Sequence, residues 1–262
     1  MSPTNHISAL KNRKRETKLD HKKLQKELKV ASLEGKQRDG IQTKYSFSPS
    51  TVGYGYGTCP RYWQFAFNGV EFKDSFTAEG MAAMENGTAS HDRIQKALKR
   101  VTKVATVKEV ERELKLSDPP IRGFIDVVMD VDGEEIIGEI KTIKAEQYDI
   151  RKMTETPSDS HLVQILIYMK GTGAQEGFFL YENKNTHEIS TFPVIMTEDN
   201  QEYVDYIFDW MREVRQAWVD KKNVKRGYTK SSYQCKYCPI FDACQEAPDG
   251  RTKIEPLQVR KL

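Results

Sequence analysis

No stretch of the 262-residue chain approaches the length of apolar run that a membrane span needs, and the first residues contain no apolar signal region. The sequence therefore reads as soluble, intracellular and cytoplasmic. Cysteine is scarce, with only Cys59, Cys235, Cys238 and Cys244. A disulfide framework is not expected in a chain of this size and compartment. A metal or cluster site is the better reading of the Cys235-x-x-Cys238 spacing. Internal repeats and low-complexity blocks are also lacking. Excess charge of either sign is small overall, at +3, but it is unevenly placed. Residues 1–44 hold 12 Lys/Arg and 5 Asp/Glu, so a basic arm precedes a slightly acidic body. Such arms meet nucleic acid or an acidic partner, or are simply solvated helices.

The chain then reads as an alternation of helices and strands. Leucines at roughly helical spacing over residues 7–35 predict a Lys-rich helix. "SFSPSTV" (46–52) begins a second helical region, with Pro49 in its first turn. "CPRYWQFAF" (59–67) supplies an aromatic patch that belongs in a core. Residues 78–100 carry Ala83, Gly87, His91, Ile94 and Leu98 at 3–4 spacing, so His91 points inward. A strand is expected at 104–114, and a polar, proline-containing connection at 145–160. A helix follows at 161–170, then strands at 175–184 and 188–196, and an amphipathic helix at 198–221. This order predicts an α/β fold with a mixed central sheet flanked by helices.

The informative stretch is "GFIDVVMDVDGEEIIGEIKTIK" (123–144). Asp132-Gly133 is a tight-hairpin signal, because both central residues need positive φ. That loop places Asp126 directly opposite Glu139. Opposed residues share a face, with Cβ atoms roughly 4.5–5.5 Å apart, and Lys141 lies on the same face. Phe124, Val128 and Ile137 make this face apolar, so the two carboxylates are covered. Covered like charges repel, and a divalent cation resolves the conflict. His91 and the backbone carbonyl of Ile140 are the expected further ligands. Oxygen ligands with one imidazole suit Mg²⁺ or Mn²⁺. Such an ion lowers the pKa of bound water and polarises a phosphoryl oxygen. Lys141 is placed to orient that water or stabilise developing charge. Gln164 and Tyr168, four apart on one helical face, can hold a phosphate or the nucleophile.

His91, Asp126, Glu139-x-Lys141 and Gln164-x-x-x-Tyr168, in this order, resemble the PD-(D/E)xK nuclease superfamily in its RecB-like branch. Gly87, four residues before His91, fits that branch's helix. Ile125 stands where a proline often precedes the first acid. One cysteine upstream and Cys235-x-x-Cys238-x5-Cys244 downstream are similar to the iron–sulfur members, the CRISPR-associated exonucleases and the AddB nuclease domain. The resemblance implies a restriction-endonuclease-like core, and a [4Fe–4S] cluster on the four thiolates clamping the two ends of residues 45–262. By chemistry alone, tetrahedral Zn²⁺ fits four cysteines as well. "HLVQILIYM" and "GFFLYENKN" further resemble phage- and bacterium-encoded members, with Tyr181 and Lys184 as candidate DNA contacts. The expected activity is exonucleolytic cleavage of single-stranded DNA or DNA ends in recombination, repair or replication. The arm, 1–44, would meet DNA or a replication or recombination protein. A rival reading makes the chain a DNA-binding subunit that uses the fold as a scaffold, but Asp126, Glu139 and Lys141 are all intact. A third reading is a zinc-stapled adaptor.

Overall fold

The computed structural model describes residues 19–34, 40–73 and 77–261. They fall into two compact units, one within Met1–Gln37 and Phe76–Ala83 and the other within Arg38–Ser75 and Met84–Leu262. In the first, helix α1 (His21–Ala31) is capped by Asp20, whose carboxylate accepts from the N–H groups of Lys22 and Lys23. No α1 residue is buried, and Lys29 pairs with Glu79 at 2.6 Å. The helix expected over 7–35 is thus seen in its middle, and residues 7–18 and 35 lie outside the described residues.

The second unit opens with a small antiparallel pair, β1 (Gly40–Gln42) and β2 (Val70–Phe72). Between them lie α2 (Pro49–Val52) and α3 (Pro60–Asn68), each with proline in its first turn. A 3₁₀ turn over Gly55–Thr58 separates the two helices. Next comes α4 (Ala78–Leu98), the latter part of which belongs to this unit. The five-stranded sheet runs in chain order: β3 (Thr106–Ser117), β4 (Pro120–Val131), β5 (Glu134–Ile143), β6 (Glu176–Asn183) and β7 (Ile189–Ile195). All neighbours are antiparallel except β5 and β6, which are parallel and joined through helices α5 (Ala145–Thr154) and α6 (Asp159–Thr172). A parallel pair needs such a crossover. After β7 come α7 (Glu198–Val219) and two short helices, α8 (Tyr233–Lys236) and α9 (Phe241–Glu246). The mixed α/β sheet flanked by helices is the architecture expected from the element order. No described helix is long and apolar enough to cross a membrane.

Helix α6 lies at the centre of this unit. Its sequence is apolar nearly all round, and Leu162 to Met169 are all buried. Such a helix must be enclosed on every side. It packs on β3, β5 and β6, and against α2 and α7. α7 is amphipathic in the ordinary sense, burying Val204, Ile207, Met211 and Val214 along one stripe beneath a Thr197 cap.

The aromatic patch is core, as its composition suggests. Phe47, Trp63, Phe67 and Trp210 are buried, with the Phe47 ring 4.7 Å from Trp63 and 5.1 Å from Phe67. The Trp63 indole N–H donates to the Gly57 carbonyl at 2.7 Å. One segment departs from expectation. Residues 145–160 were expected as a polar connection, yet α5 occupies their first ten positions. Only Tyr148 of α5 is buried, its hydroxyl 2.6 Å from Ser190 Oγ, so there is almost no apolar period to read.

Replacing Trp63 with alanine removes a wholly buried ring and its hydrogen bond. The expected loss is about 3–5 kcal/mol of unfolding free energy, read from urea melts. A loss below about 1 kcal/mol would show that Trp63 is not central to the core.

Candidate metal centre

The hairpin forms as its turn dictates. Asp132 (φ 53°) and Gly133 (φ 89°) are both left-handed, the requirement for this class of two-residue loop. Val131 pairs with Glu134, Val128 with Ile137 and Val127 with Gly138. The same register sets Asp126 opposite Glu139, one step beyond the last of these pairs. There the strands exchange a different bond: the Asp126 carboxylate (Oδ2) accepts the Ile140 N–H at 2.7 Å. Glu139 stays anchored on its other side, because β5 continues its parallel pairing with β6 at Phe179.

Both carboxylates are buried, Glu139 to 1% exposure. Glu139 Oε1 accepts from Lys141 Nζ at 2.5 Å and from Gln164 Nε2 at 2.6 Å. Its second oxygen, Oε2, is buried with no hydrogen-bond partner among the described residues. An orphaned carboxylate oxygen in an enclosed position is costly, and it is the position a cation would satisfy. His91 on α4 reaches the neighbouring acid, with Nδ1 3.7 Å from Asp126 Oδ2. Among the described residues, one group of three metal-competent side chains has ligand atoms all within 4.8 Å of one another: His91, Asp126 and Glu111. The donor set is oxygen-rich with one imidazole, so the residues present fit Mg²⁺ or Mn²⁺.

These groups open into a cavity of about 670 Å³ lined by Glu111, Asp126, Glu139, Lys141, Gln164 and Tyr168. Gly123 lets Tyr168 approach the β4 backbone: a Cβ at this position would lie 2.8 Å from the tyrosine oxygen. Tyr45, Arg122 and Phe124 also line the cavity. Tyr45 is 79% exposed and Phe124 47%, so both present a ring face at the cavity's surface.

Burial dominates the electrostatics. It raises the pKa of Asp126, against the pull of His91, Lys141 and the Ile140 N–H. It pushes Glu139 up to about 8, where Lys141 favours the charged form and Asp126 opposes it. Lys141 is itself pulled down by desolvation, but the carboxylates of Glu139 and Asp126 outweigh this and hold it charged. Tyr168 is raised by burial and then by Glu139, so it remains a neutral hydroxyl.

The structure thus brings together His91, Asp126, Glu139, Ile140, Lys141, Gln164 and Tyr168. Lys184 is elsewhere, exposed just past the end of β6. Tyr181 corrects the sequence reading. It is fully buried, stacked on Phe179 at 5.5 Å, with its hydroxyl bonded to the Ser158 N–H and to His161. His161 is itself kept neutral by burial, which pushes it down to about 3. Tyr181 therefore offers no surface to DNA. Among the residues lining the cavity, Glu111, Lys44, Tyr45 and Arg122 were missed. Glu111 lies in a charged stretch, "KEVERE", that reads as an exposed strand. Phe124, expected to cover the carboxylate face, is instead exposed at the cavity, because it lies nearer the open end of the hairpin than Val128 and Ile137, which are buried.

The four cysteines line one pocket, walled also by Tyr56, Tyr62, Tyr228, Ile240 and Phe241. Burial raises the pKa of Cys59 and pushes Cys238 up to about 12, with Cys244 adding to the first and the three other cysteines to the second. The buried Arg61 guanidinium donates from Nε to Cys244 Sγ at 3.3 Å. Among the described residues, no three cysteine sulfurs lie within 4.8 Å of one another. Zn–S bonds of about 2.3 Å would set tetrahedral sulfur–sulfur edges of roughly 3.8 Å.

Residues 71–245 match the model of the PD-(D/E)XK nuclease superfamily, and the chain belongs to that superfamily. No curated protein matches the sequence. Among solved structures, the protein designated SSO0001 superposes with a TM-score of 0.43 and 18% identity, over 88% of this chain and 95% of that one. The alkaline exonuclease of Laribacter hongkongensis gives 0.43 and 15%, over 53% and 71%. A phage-related exonuclease from Haemophilus somnus 129PT gives 0.36 and 10%, over 51% and 72%. At these scores the likenesses carry no argument about chemistry.

The raised pKa of Glu139 has a consequence for stability. An acid whose folded pKa lies above its unfolded value binds its proton more tightly when folded. Its contribution is therefore present below the unfolded pKa and lost as pH rises through the folded one. The metal-free protein should lose stability as pH rises from about 4.5 to about 8. Glu139→Gln should flatten that slope and be the more stable protein at pH 8. Denaturant melts of both across this range check it; parallel slopes would contradict it.

Proposed function

We propose that this member of the PD-(D/E)XK nuclease superfamily hydrolyses DNA phosphodiester bonds at the Asp126–Glu139 centre, with Mg²⁺ or Mn²⁺ as its cofactor. The observation that carries the reading is the orphaned, buried Oε2 of Glu139 beside a second buried carboxylate. His91, Asp126, Glu139 and the Ile140 carbonyl would hold the ion. When bound, it supplies a low-pKa water and polarises a phosphoryl oxygen.

The remaining chemistry falls to the chain itself. Hydrolysis joins a water oxygen to phosphorus and breaks one phosphorus–oxygen bond, leaving a phosphate end and a hydroxyl end. Lys141 holds a positive charge beside the carboxylates, where it orients the attacking oxygen and stabilises negative charge developing on the phosphoryl group. Gln164 fixes the carboxylate of Glu139 through Oε1, which leaves Oε2 directed by default. Tyr168, neutral and at the same cavity, donates a hydrogen bond to a phosphate oxygen. Single-stranded DNA or a frayed end is the preferred substrate in this reading. Exposed Tyr45 and Phe124 offer stacking faces to unpaired bases, and Lys44 and Arg122 line the same cavity for the backbone. Such a mouth favours exonucleolytic attack. Lys184 remains a candidate backbone contact.

The four cysteines, one before the nuclease elements and three after them, support assignment to the RecB-like iron–sulfur branch. A [4Fe–4S] cluster is the preferred occupant of their pocket. Its thiols are half-buried and must lose protons to bind, and the Arg61 N–H already points at Cys244 Sγ. The cluster's role is to tie Cys59 to the distant 235–244 segment; hydrolysis transfers no electrons.

Asp126→Ala should abolish cleavage of end-labelled single-stranded DNA with either metal while the protein remains folded. Lys141→Ala should lower turnover at least about 100-fold yet bind the metal nearly as well, because ammonium is not a ligand. An active Asp126→Ala protein would remove the assignment, and loss of metal affinity in Lys141→Ala would show its role to be different.

Protein purified without oxygen should be brown, with iron and sulfide in equal amounts, and Cys59→Ala should lose both the colour and thermal stability. Colourless, zinc-loaded protein with full activity would exclude the cluster. A stable, active Cys59→Ala protein would exclude the tie itself.

A further inference from the structure

Glu111 lies mid-strand in β3 with φ at 50°. A glutamate has no Cβ-free route into this left-handed region and no short side chain to stabilise it there. Strain of this kind persists only where surrounding structure enforces it. The usual cause in a strand, an inserted residue, is not the explanation. Glu109 pairs with Val128, Val110 with Val127, Arg112 with Ile125 and Glu113 with Phe124, so the count is unbroken across Glu111. The irregularity of β3 lies elsewhere, between Val107 and Glu109.

The left-handed backbone coincides with where the side chain points. Two neighbouring acids on this strand pair with arginine: Glu109 with Arg112 and Glu113 with Arg122, each at 2.6 Å. Glu111 instead reaches the ligand atoms of His91 and Asp126, all within 4.8 Å of one another. It is held there by Gln95, a buried amide whose Nε2 donates to Glu111 Oε1 at 2.7 Å and to the Asp126 carbonyl at 2.9 Å. Gln95 and His91 are four residues apart on α4, so one helical face brings both a donor and its brace. A ligand carboxylate held by an outer amide is the common arrangement of a metal site. Glu139, whose Oε2 is buried without a partner, lines the same cavity as Glu111, so Glu111 stands beside a carboxylate that already calls for positive charge. Without a cation the third carboxylate only adds repulsion, and it raises the proton affinity of both Asp126 and Glu139.

We propose that Glu111 is a further ligand of the divalent cation, binding on the His91–Asp126 side of the site. The proposal rests on the metal-centre reading above and adds to the residues that the motif supplies.

The test is Mn²⁺ binding by the metal-free protein, read by calorimetry and by the electron-paramagnetic signal of free Mn²⁺, without DNA. Glu111→Gln keeps the Gln95 bond and should weaken Mn²⁺ about tenfold or more. Glu111→Gly relieves the backbone strain, since glycine adopts positive φ freely. It should raise the metal-free melting temperature by a few degrees while weakening Mn²⁺ just as much. A residue kept for structure would not show gain of stability with loss of binding. Wild-type Mn²⁺ affinity in Glu111→Gln, with binding lost in Asp126→Asn, would overturn the role of Glu111 and leave the centre standing. A lower melting temperature in Glu111→Gly would likewise overturn it. Absence of Mn²⁺ binding by the unaltered protein would overturn the centre itself.

Discussion

Two carboxylates enclosed on adjacent strands are the constraint around which the site is built. Asp126 and Glu139 are both withdrawn from water, and burial, then the Asp126 charge beside it, raises the proton affinity of Glu139. In the metal-free protein the conflict is met in three partial ways. Asp126 takes a backbone N–H, Glu139 takes Lys141 and Gln164 on one oxygen, and burial favours protonated Glu139. None of these satisfies Glu139 Oε2. A removed hydrogen-bond partner at a buried carboxylate costs more than an ordinary bond contributes, so the arrangement makes sense as a site held ready for a cation.

The rest of the fold serves that readiness. The β4–β5 turn fixes register, and a one-residue slip would send both acids to the opposite face. Helix α6 must be apolar all round because it is packed by strands and helices alike. The polar Gln164 inside this run is therefore placed by tertiary structure, with its amide on Glu139. Gly123 admits Tyr168 to the same cavity. Far along the chain, the cysteines gather Cys59 and the 235–244 segment around one pocket. A group bound by all four thiolates, as proposed above, would remove conformational freedom from the unfolded chain, though only logarithmically with loop length.

Much of this was legible in the sequence, for physical reasons. Asp132-Gly133 demands left-handed backbone at both positions, and that alone sets Asp126 against Glu139. Helical spacing put Gln164 and Tyr168 on one face, but their role came from the resemblance to the nuclease motifs; the aromatic patch followed from its apolar density. What stayed hidden depended on tertiary placement. Glu111 sits among alternating charges that suit a solvated strand edge, and no residue type announces its left-handed φ. Tyr181 looked available for DNA because it precedes a polar strand end, but β6 is an inner strand with neighbours on both sides. Helix α5 had a single buried anchor, too few for a period. The sequence order of the cysteines suggested that they meet, and their common pocket agrees; which group they hold is a matter of sulfur chemistry that spacing does not decide.

The central claim is that Asp126 and Glu139 are held ready for a divalent cation, with burial raising the proton affinity of Glu139 until one binds. Calorimetric titration of the metal-free protein with Mn²⁺ at pH 7, in buffers of different ionisation enthalpy, measures that exchange directly. Binding should release roughly one proton per ion, because a ligand acid must be ionised. The release should vanish in Glu139→Gln, along with most of the affinity. Tight binding that releases no proton, or that survives unchanged in Glu139→Gln, would contradict the account.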